Sequence, residues 1–195
     1  MVIAIYSYLK VTLRYYLELI KSFFYKLNKK ILFALAENEA IVVKPGEKAL
    51  WRTLQLNSLQ VIHGEKFYIG YGFWISNGKN LILGNRCSLG EFARIMDHSP
   101  IQIGDDFIAA TGLQINSGTH DPETMEPILP GIKIGHRVWC GANVTIVAGA
   151  SIGDDVVIGA CSLVRSHIPS GSIAVGVPAK VIRSISRSDK LWTWI

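Results

Sequence analysis

A mainly β chain, wound as a triangular solenoid of parallel strands, is predicted by three features of the 195-residue sequence. From Ile134 to Pro169 it reads in sixes, IGHRVW, CGANVT, IVAGAS, IGDDVV, IGACSL and VRSHIP, with Ile, Cys or Val opening each hexad and a small or branched residue fifth. No helix repeats every six residues. Between the apolar positions stand Gly, Asp, Asn and Ala, which suit corners where φ is positive or the backbone is crowded. A composition of 49% hydrophobic residues with 18 Gly fits such a tightly turned structure.

Each hexad then makes one side of a prism. Ile134 and Val138, Cys140 and Val144, and Ile146 and Ala150 point inward. Three hexads complete an 18-residue coil, so Ile134 stacks on Ile152, Cys140 on Ile158 and Ile146 on Val164. Stacked coils pair as parallel strands about 4.8 Å apart. The narrow core is expected to hold only aliphatic and small side chains.

Taken in order, residues 1–50 read as an N-terminal amphipathic helical segment. Tyr8, Val11, Tyr15, Leu19, Ser22, Phe23 and Lys26 fall at roughly helical spacing, and Lys10, Arg14, Lys21, Lys26, Lys29 and Lys30 face a single acid, Glu18, up to Ala36. Charges at Lys10, Arg14, Glu18 and Lys21 interrupt any apolar span of about 20 residues, so no transmembrane helix is expected. The charges follow the apolar start, unlike those of a secretory signal. Residues 1–36 would therefore pack on the prism or a neighbouring subunit, or lie on a membrane surface. Lys44-Pro45-Gly46 ends this stretch.

The solenoid is assigned to 51–185 and a tail to 186–195. LGNRCS, LGEFAR and IMDHSP form a coil from Leu83, and IGDDFI, AATGLQ and INSGTH the next from Ile103. Two extra residues, Ile101 and Gln102, should bulge at a corner, and a similar slip separates Ile75 from Leu83. Asp121 to Lys133 carries Pro122, Pro127 and Pro130 and should leave the ladder as a projecting loop near 121–133. Cys87 and Cys140 fall in core phase and Cys161 at a corner, without metal-ligand spacing, which suits a reducing cytoplasm. His63, His136 and His167 fall at corners and are given no chemistry. The net charge of +5, with basic residues gathered in the first 30 positions and near the end of the repeat, does not make a nucleic-acid stripe. A positive mean hydropathy implies apolar surface covered by a partner.

On these hexads the chain closely resembles the hexapeptide-repeat acyltransferases, whose fold is a left-handed parallel β-helix. Handedness comes from the resemblance, since parallel crossovers in general favour the right hand. Solenoids place function on interruptions of the coil, and His120 stands at the base of the projecting loop. The galactoside, maltose and xenobiotic acetyltransferases place a catalytic histidine just before such a loop and ahead of an IGxxVW hexad. Here that context reads NSGTH, a loop, then IGHRVW. The resemblance implies direct acetyl transfer from acetyl-CoA to a hydroxyl, with His120 as general base and backbone N–H groups stabilising the oxyanion.

Asp97-His98, in RIMDHSP, is similar to the Asp-His pair of serine acetyltransferases, where that histidine is the base. His120 is preferred, and Asp97 and His98 would then contact acceptor or orient the loop. The acceptor-binding Asn of galactoside-type enzymes aligns with Gly90 or Glu91, a departure that argues against a galactoside or maltose acceptor. The resemblance further implies a CoA groove with Trp139 beside the pantetheine arm, Gly141, Ala142 and Ala160 admitting it to the backbone, and Arg165, Lys180 and Arg183 near the nucleotide phosphates. No metal is expected. The γ-class carbonic anhydrases share the prism but need three zinc histidines, a trio not evident here. The family is trimeric with sites built from two subunits. The expected protein is a cytoplasmic homotrimer, possible membrane contact being peripheral at the inner face, that O-acetylates a sugar hydroxyl of a surface polysaccharide or its lipid-linked precursor. N-acetylation of an amino sugar and an inactive β-helix scaffold are the alternatives.

Overall fold

The computed structural model describes residues 41–42 and 61–186, all within the unit Ala40–Ile195. The helical segment expected at 1–50 lies outside the described residues apart from the strand Ile41–Val42, as does the tail beyond 186. From Val61 the chain coils round three flat faces. The first face carries Ile62–His63, Leu81–Leu83, Ile101–Ile103, Ile132–Ile134, Ser151–Ile152 and His167–Ile168. The second carries Tyr68–Ile69, Ser88–Leu89, Ile108–Ala109, Trp139–Cys140, Val157–Ile158 and Ser172–Val175, and the third Trp74–Ile75, Arg94–Met96, Gln114–Asn116, Thr145–Val147 and Leu163–Val164. Ile41–Val42 adds to the third face antiparallel to Trp74–Ile75.

The predicted register holds. Ile134 pairs with Ile152, Cys140 with Ile158 and Ile146 with Val164, all parallel. Ile103, Ala109 and Ile115 lie one coil earlier, paired with Ile134, Cys140 and Ile146. The inward positions Ile134, Val138, Cys140, Val144, Ile146 and Ala150 are all buried. Cys87 is also buried, while Cys161 is exposed at a corner.

Four expectations are corrected. Ile101 and Gln102 do not bulge: they lengthen the strand Ile101–Ile103, paired with Leu81–Leu83 and Ile132–Ile134. An insertion of two preserves strand alternation, so Ile101 is buried and Gln102 exposed, whereas a bulge would leave an isoleucine in water. The core also admits aromatics. Phe73 and Phe107 are fully buried, each one step before a strand pair whose partner there is small, Ala93 for Phe73 and Cys87 for Phe107. His63 and His167 lie on strands of the first face, and only His136 sits at a corner, where its Nδ1 accepts the Asp105 N–H.

The projecting segment, finally, keeps a ladder of its own. Thr119–His120 pairs antiparallel with Pro127–Ile128, and the coil resumes at Ile132, two residues earlier than expected. Pro127 lacks an N–H, but a strand lying outside the coil is an edge, where proline is tolerated. A second hairpin closes the described chain, Lys180–Ser184 running antiparallel to Ser172–Val175.

Candidate active site

Two edges of the prism carry the expected site residues. The edge between the third and first faces holds Asp97, His98, His120 and Arg165. That between the second and third faces holds Glu91, Gly141, Ala142 and Ala160, with Trp139 on the second-face strand leading into it.

At the first of these edges Asp97 is buried. Its Oδ1 accepts the Ser76 hydroxyl at 2.7 Å and the Asn77 N–H at 2.9 Å, and its Oδ2 accepts the Gly78 and Asn80 N–H groups. Both oxygens are thus committed to folding the corner 76–80 of the coil beneath. His98 points out on the opposite side of the chain, exposed, with its ring against Gly118. Two residues on, His120 is exposed on the outgoing stem of the hairpin. Gly118 lies two residues before His120, so His98 packs at the root of the stem that carries the His120 imidazole.

The hairpin tip is organised by Asp121. Its Oδ1 accepts the Glu123 and Thr124 N–H groups, both at 2.9 Å, and its own N–H donates to the Glu126 carbonyl. The Thr124 and Glu123 N–H bonds hold the Asp121 carboxyl below its ordinary range. At the base, two buried serines join the hairpin to the coil beneath: the Ser99 hydroxyl donates to the Ser117 carbonyl at 2.7 Å and accepts the Gly131 N–H at 3.1 Å. Ser99, Ser117, Gly118 and Asp121 were not singled out in the sequence. Strand alternation carried on from Ile95 makes 97, 99 and 101 inward positions, and that signal marks Ser99 as a buried polar residue.

At the second edge, Gly141 is explained by coil stacking, since a Cβ there would stand 2.7 Å from the Ala160 nitrogen. Ala142 is half-buried, Ala160 exposed, and Trp139 stands 43% exposed, with room to cover an apolar chain. Lys180 and Arg183 are exposed on the closing strand beside the second face. Glu91 accepts hydrogen bonds from Tyr68 and Thr111 in the coils to either side, so it belongs to this edge and is not gathered with His98 and His120. The third face, between the two edges, carries a shallow groove of about 620 Å³ lined by Trp74, Phe92, Arg94, Gln114, Asn143 and Thr145 among others, with Arg94 over the Trp74 ring.

A triangular parallel solenoid interrupted by a histidine-bearing hairpin defines a class of β-helical transferase. Residues 131–166 match the family described as bacterial transferase hexapeptide (six repeats). The chain is 32% identical over 152 residues, 70% of its length and 78% of the other's, to a candidate lipopolysaccharide biosynthesis O-acetyl transferase, WbbJ, of Escherichia coli (strain K12). It is 35% identical over 133 residues, 65% of each chain, to the galactoside O-acetyltransferase of the same organism. Among solved structures, a maltose O-acetyltransferase from Clostridium difficile 630 matches with TM-score 0.67 and 26% identity, over 87% of this chain and 89% of that one. The Vibrio cholerae hexapeptide-repeat acetyltransferase VCA0836, complexed with acetyl coenzyme A, matches with TM-score 0.65 and 27% identity, over 73% and 80%. The chain belongs to the hexapeptide-repeat acetyltransferases, and its fold is their left-handed parallel β-helix.

Proposed function

We propose that this acetyltransferase moves an acetyl group from acetyl-CoA to a hydroxyl of a sugar in a surface polysaccharide or its lipid-linked precursor, with His120 as general base. The observation that carries this reading is the place of His120: exposed on the stem of the one hairpin that interrupts the coil among the described residues. His120 takes the acceptor's proton as its oxygen attacks the thioester carbonyl. The C–S bond then breaks and the proton passes to the departing CoA thiolate. Backbone N–H groups of an adjacent coil would stabilise the oxyanion, excepting that of Gly141, which donates to the Ile158 carbonyl, and Trp139 covers the pantetheine arm. The relatives named for O-acetylation and for lipopolysaccharide biosynthesis support the acceptor class, and the acetyl-CoA complex of VCA0836 supports the donor.

The test is thiol release from acetyl-CoA with a panel of nucleotide sugars and lipid-linked glycans. His120→Ala should lose acceptor-dependent turnover by about a hundredfold or more. Loss confined to His98→Ala would move the base to His98, and no release from the wild type with any acceptor would leave a scaffold.

The site is shared between subunits of a homotrimer on this reading. One chain sets His120 and the small-residue edge on opposite margins of the third face, so turning that face toward a threefold axis brings the two kinds of edge together across each interface. Inactive His120→Ala mixed with a groove-blocked Ala160→Trp should regain part of the wild-type rate through hybrid sites. No regain on subunit exchange would reject the shared site.

We also place the enzyme in the cytoplasm, held at the inner membrane face by the basic segment 1–36. Flotation of the full chain, but not of a chain lacking 1–36, with anionic liposomes is the expected result, and equal behaviour of the two counts against it.

A further inference from the structure

We propose that Ser99 is a positioning residue for His120. Its hydroxyl ties the two stems of the catalytic hairpin to each other and to the coil beneath, and so sets where the imidazole stands. The inference rests on the reading of His120 as the base.

The hairpin has little to hold it by itself. Its ladder is two residue pairs, Thr119 with Ile128 and His120 with Pro127, and Pro127 has no N–H to donate. Two-residue strands do not persist alone in water. From Glu123 to Pro130 every residue is exposed, and it is the returning end that touches the prism, where Pro130 lies against Gly149 and the Gly149 N–H donates to the Gly131 carbonyl.

What anchors it lies at the root, where the insertion leaves the coil after Ser117 and returns at Gly131. Ser99 is 4% exposed and Ser117 fully buried. The Ser99 hydroxyl donates to the Ser117 carbonyl at 2.7 Å, and the same oxygen accepts the Gly131 N–H at 3.1 Å. In return the Ser99 N–H donates to Ser117 Oγ at 2.9 Å, and that hydroxyl donates to the Ser99 carbonyl at 2.8 Å. The next residue on each side continues the seam, Ile132 N–H donating to the Pro100 carbonyl. A hydroxyl is the small group that donates once while still accepting, which is what one carbonyl on the outgoing stem and one N–H on the returning stem require. Alanine would leave both without a partner in a place closed to water. Ser117 is three residues from His120 along the chain, so a loosened root moves the base directly. Displacements near 1 Å are enough to slow an oriented reaction by up to about a hundredfold.

The experiment is a double-mutant cycle in the full-length protein, read by thiol release. Ser99→Ala should lower kcat by about ten- to a hundredfold while the KM for acetyl-CoA, whose groove lies on the other edge, stays within about twofold. In a His120→Ala background the same substitution should cost nothing further, because no base is left to position. Ser172→Ala removes another buried hydroxyl, one that donates to the Pro169 carbonyl, and should leave kcat within about twofold. If Ser99→Ala does not fold, Ser99→Cys, which fills the site but carries only a weak donor and acceptor, takes its place in the cycle. An unchanged kcat, or a loss that simply multiplies with that of His120→Ala, overturns the positioning role. Full activity in His120→Ala instead overturns the base assignment, and the inference with it.

Discussion

A Cβ built on Gly118 would stand 3.0 Å from both Cβ and Cδ2 of His98, so the ring of one residue occupies the place where the other would carry its side chain. Gly118 precedes the stem that carries His120, and His98 follows Asp97, whose carboxylate is locked to the coil below. His98 and the His120 stem are therefore linked through one glycine.

Gly118→Ala should accordingly disturb chemistry more than stability. His98 Cβ belongs to a corner fixed by Asp97, so the hairpin stem gives way by a few tenths of an ångström. We expect kcat to fall about tenfold. In a His98→Gly background, where both the Cβ and the ring are gone, the same change should cost nothing more. Equal losses in both backgrounds would separate Gly118 from His98.

Asp97 should prove a folding residue. Asp97→Ala strands one hydroxyl and three N–H donors of the corner 76–80, at about 1–3 kcal/mol or more for buried partners left unpaired. A urea titration should show the midpoint falling at unchanged slope, with His98→Ala, an exposed change, within about 0.5 kcal/mol of wild type. A normal midpoint for Asp97→Ala would contradict the geometry.

Burial pushes the Cys87 thiol up to about 11 and the Cys140 thiol up to about 12, so neither should react with iodoacetamide near neutral pH. Cys161 is exposed and follows Ala160 on the small-residue edge. One thiol of three should therefore be alkylated in the native protein, and acetyl-CoA should slow that reaction. Mass spectrometry of the labelled peptides decides this; label on Cys87 or Cys140, or no effect of acetyl-CoA, counts against the assignment.

The hairpin tip should be acid-sensitive in a defined direction. The Thr124 and Glu123 N–H bonds lower the Asp121 pKa below its ordinary 3.8. Its stabilising effect is thus fully present above that value and disappears as pH falls through the lowered one. The Thr124 amide resonance should titrate with a midpoint below 3.8 and should not titrate in Asp121→Ala. A midpoint above 3.8 would mean the turn is not held by the carboxylate.

The sequence alone determined the coil. Its period placed Ile134 on Ile152 and Cys140 on Ile158, and marked the segment after His120 as the interruption, because register in a repeat is set by side-chain size and polarity at positions six residues apart. The two-residue slips were also visible at Ile75 and Ile101, but not that they would lengthen a strand, since only stacking on Leu81–Leu83 makes that arrangement the one that buries Ile101.

Tertiary structure alone decided how the interruption is held. Ser99 meets Ser117 and Gly131 at separations of 18 and 32 residues, and His98 meets Gly118 across the same gap between coils. These partners are chosen where one coil comes to rest on the next. A hydroxyl or a ring has no period of its own, so its partner is fixed only once the coils are stacked. The same closure set His120 on one edge and Ala160 on another, a division that the linear order of the residues does not contain.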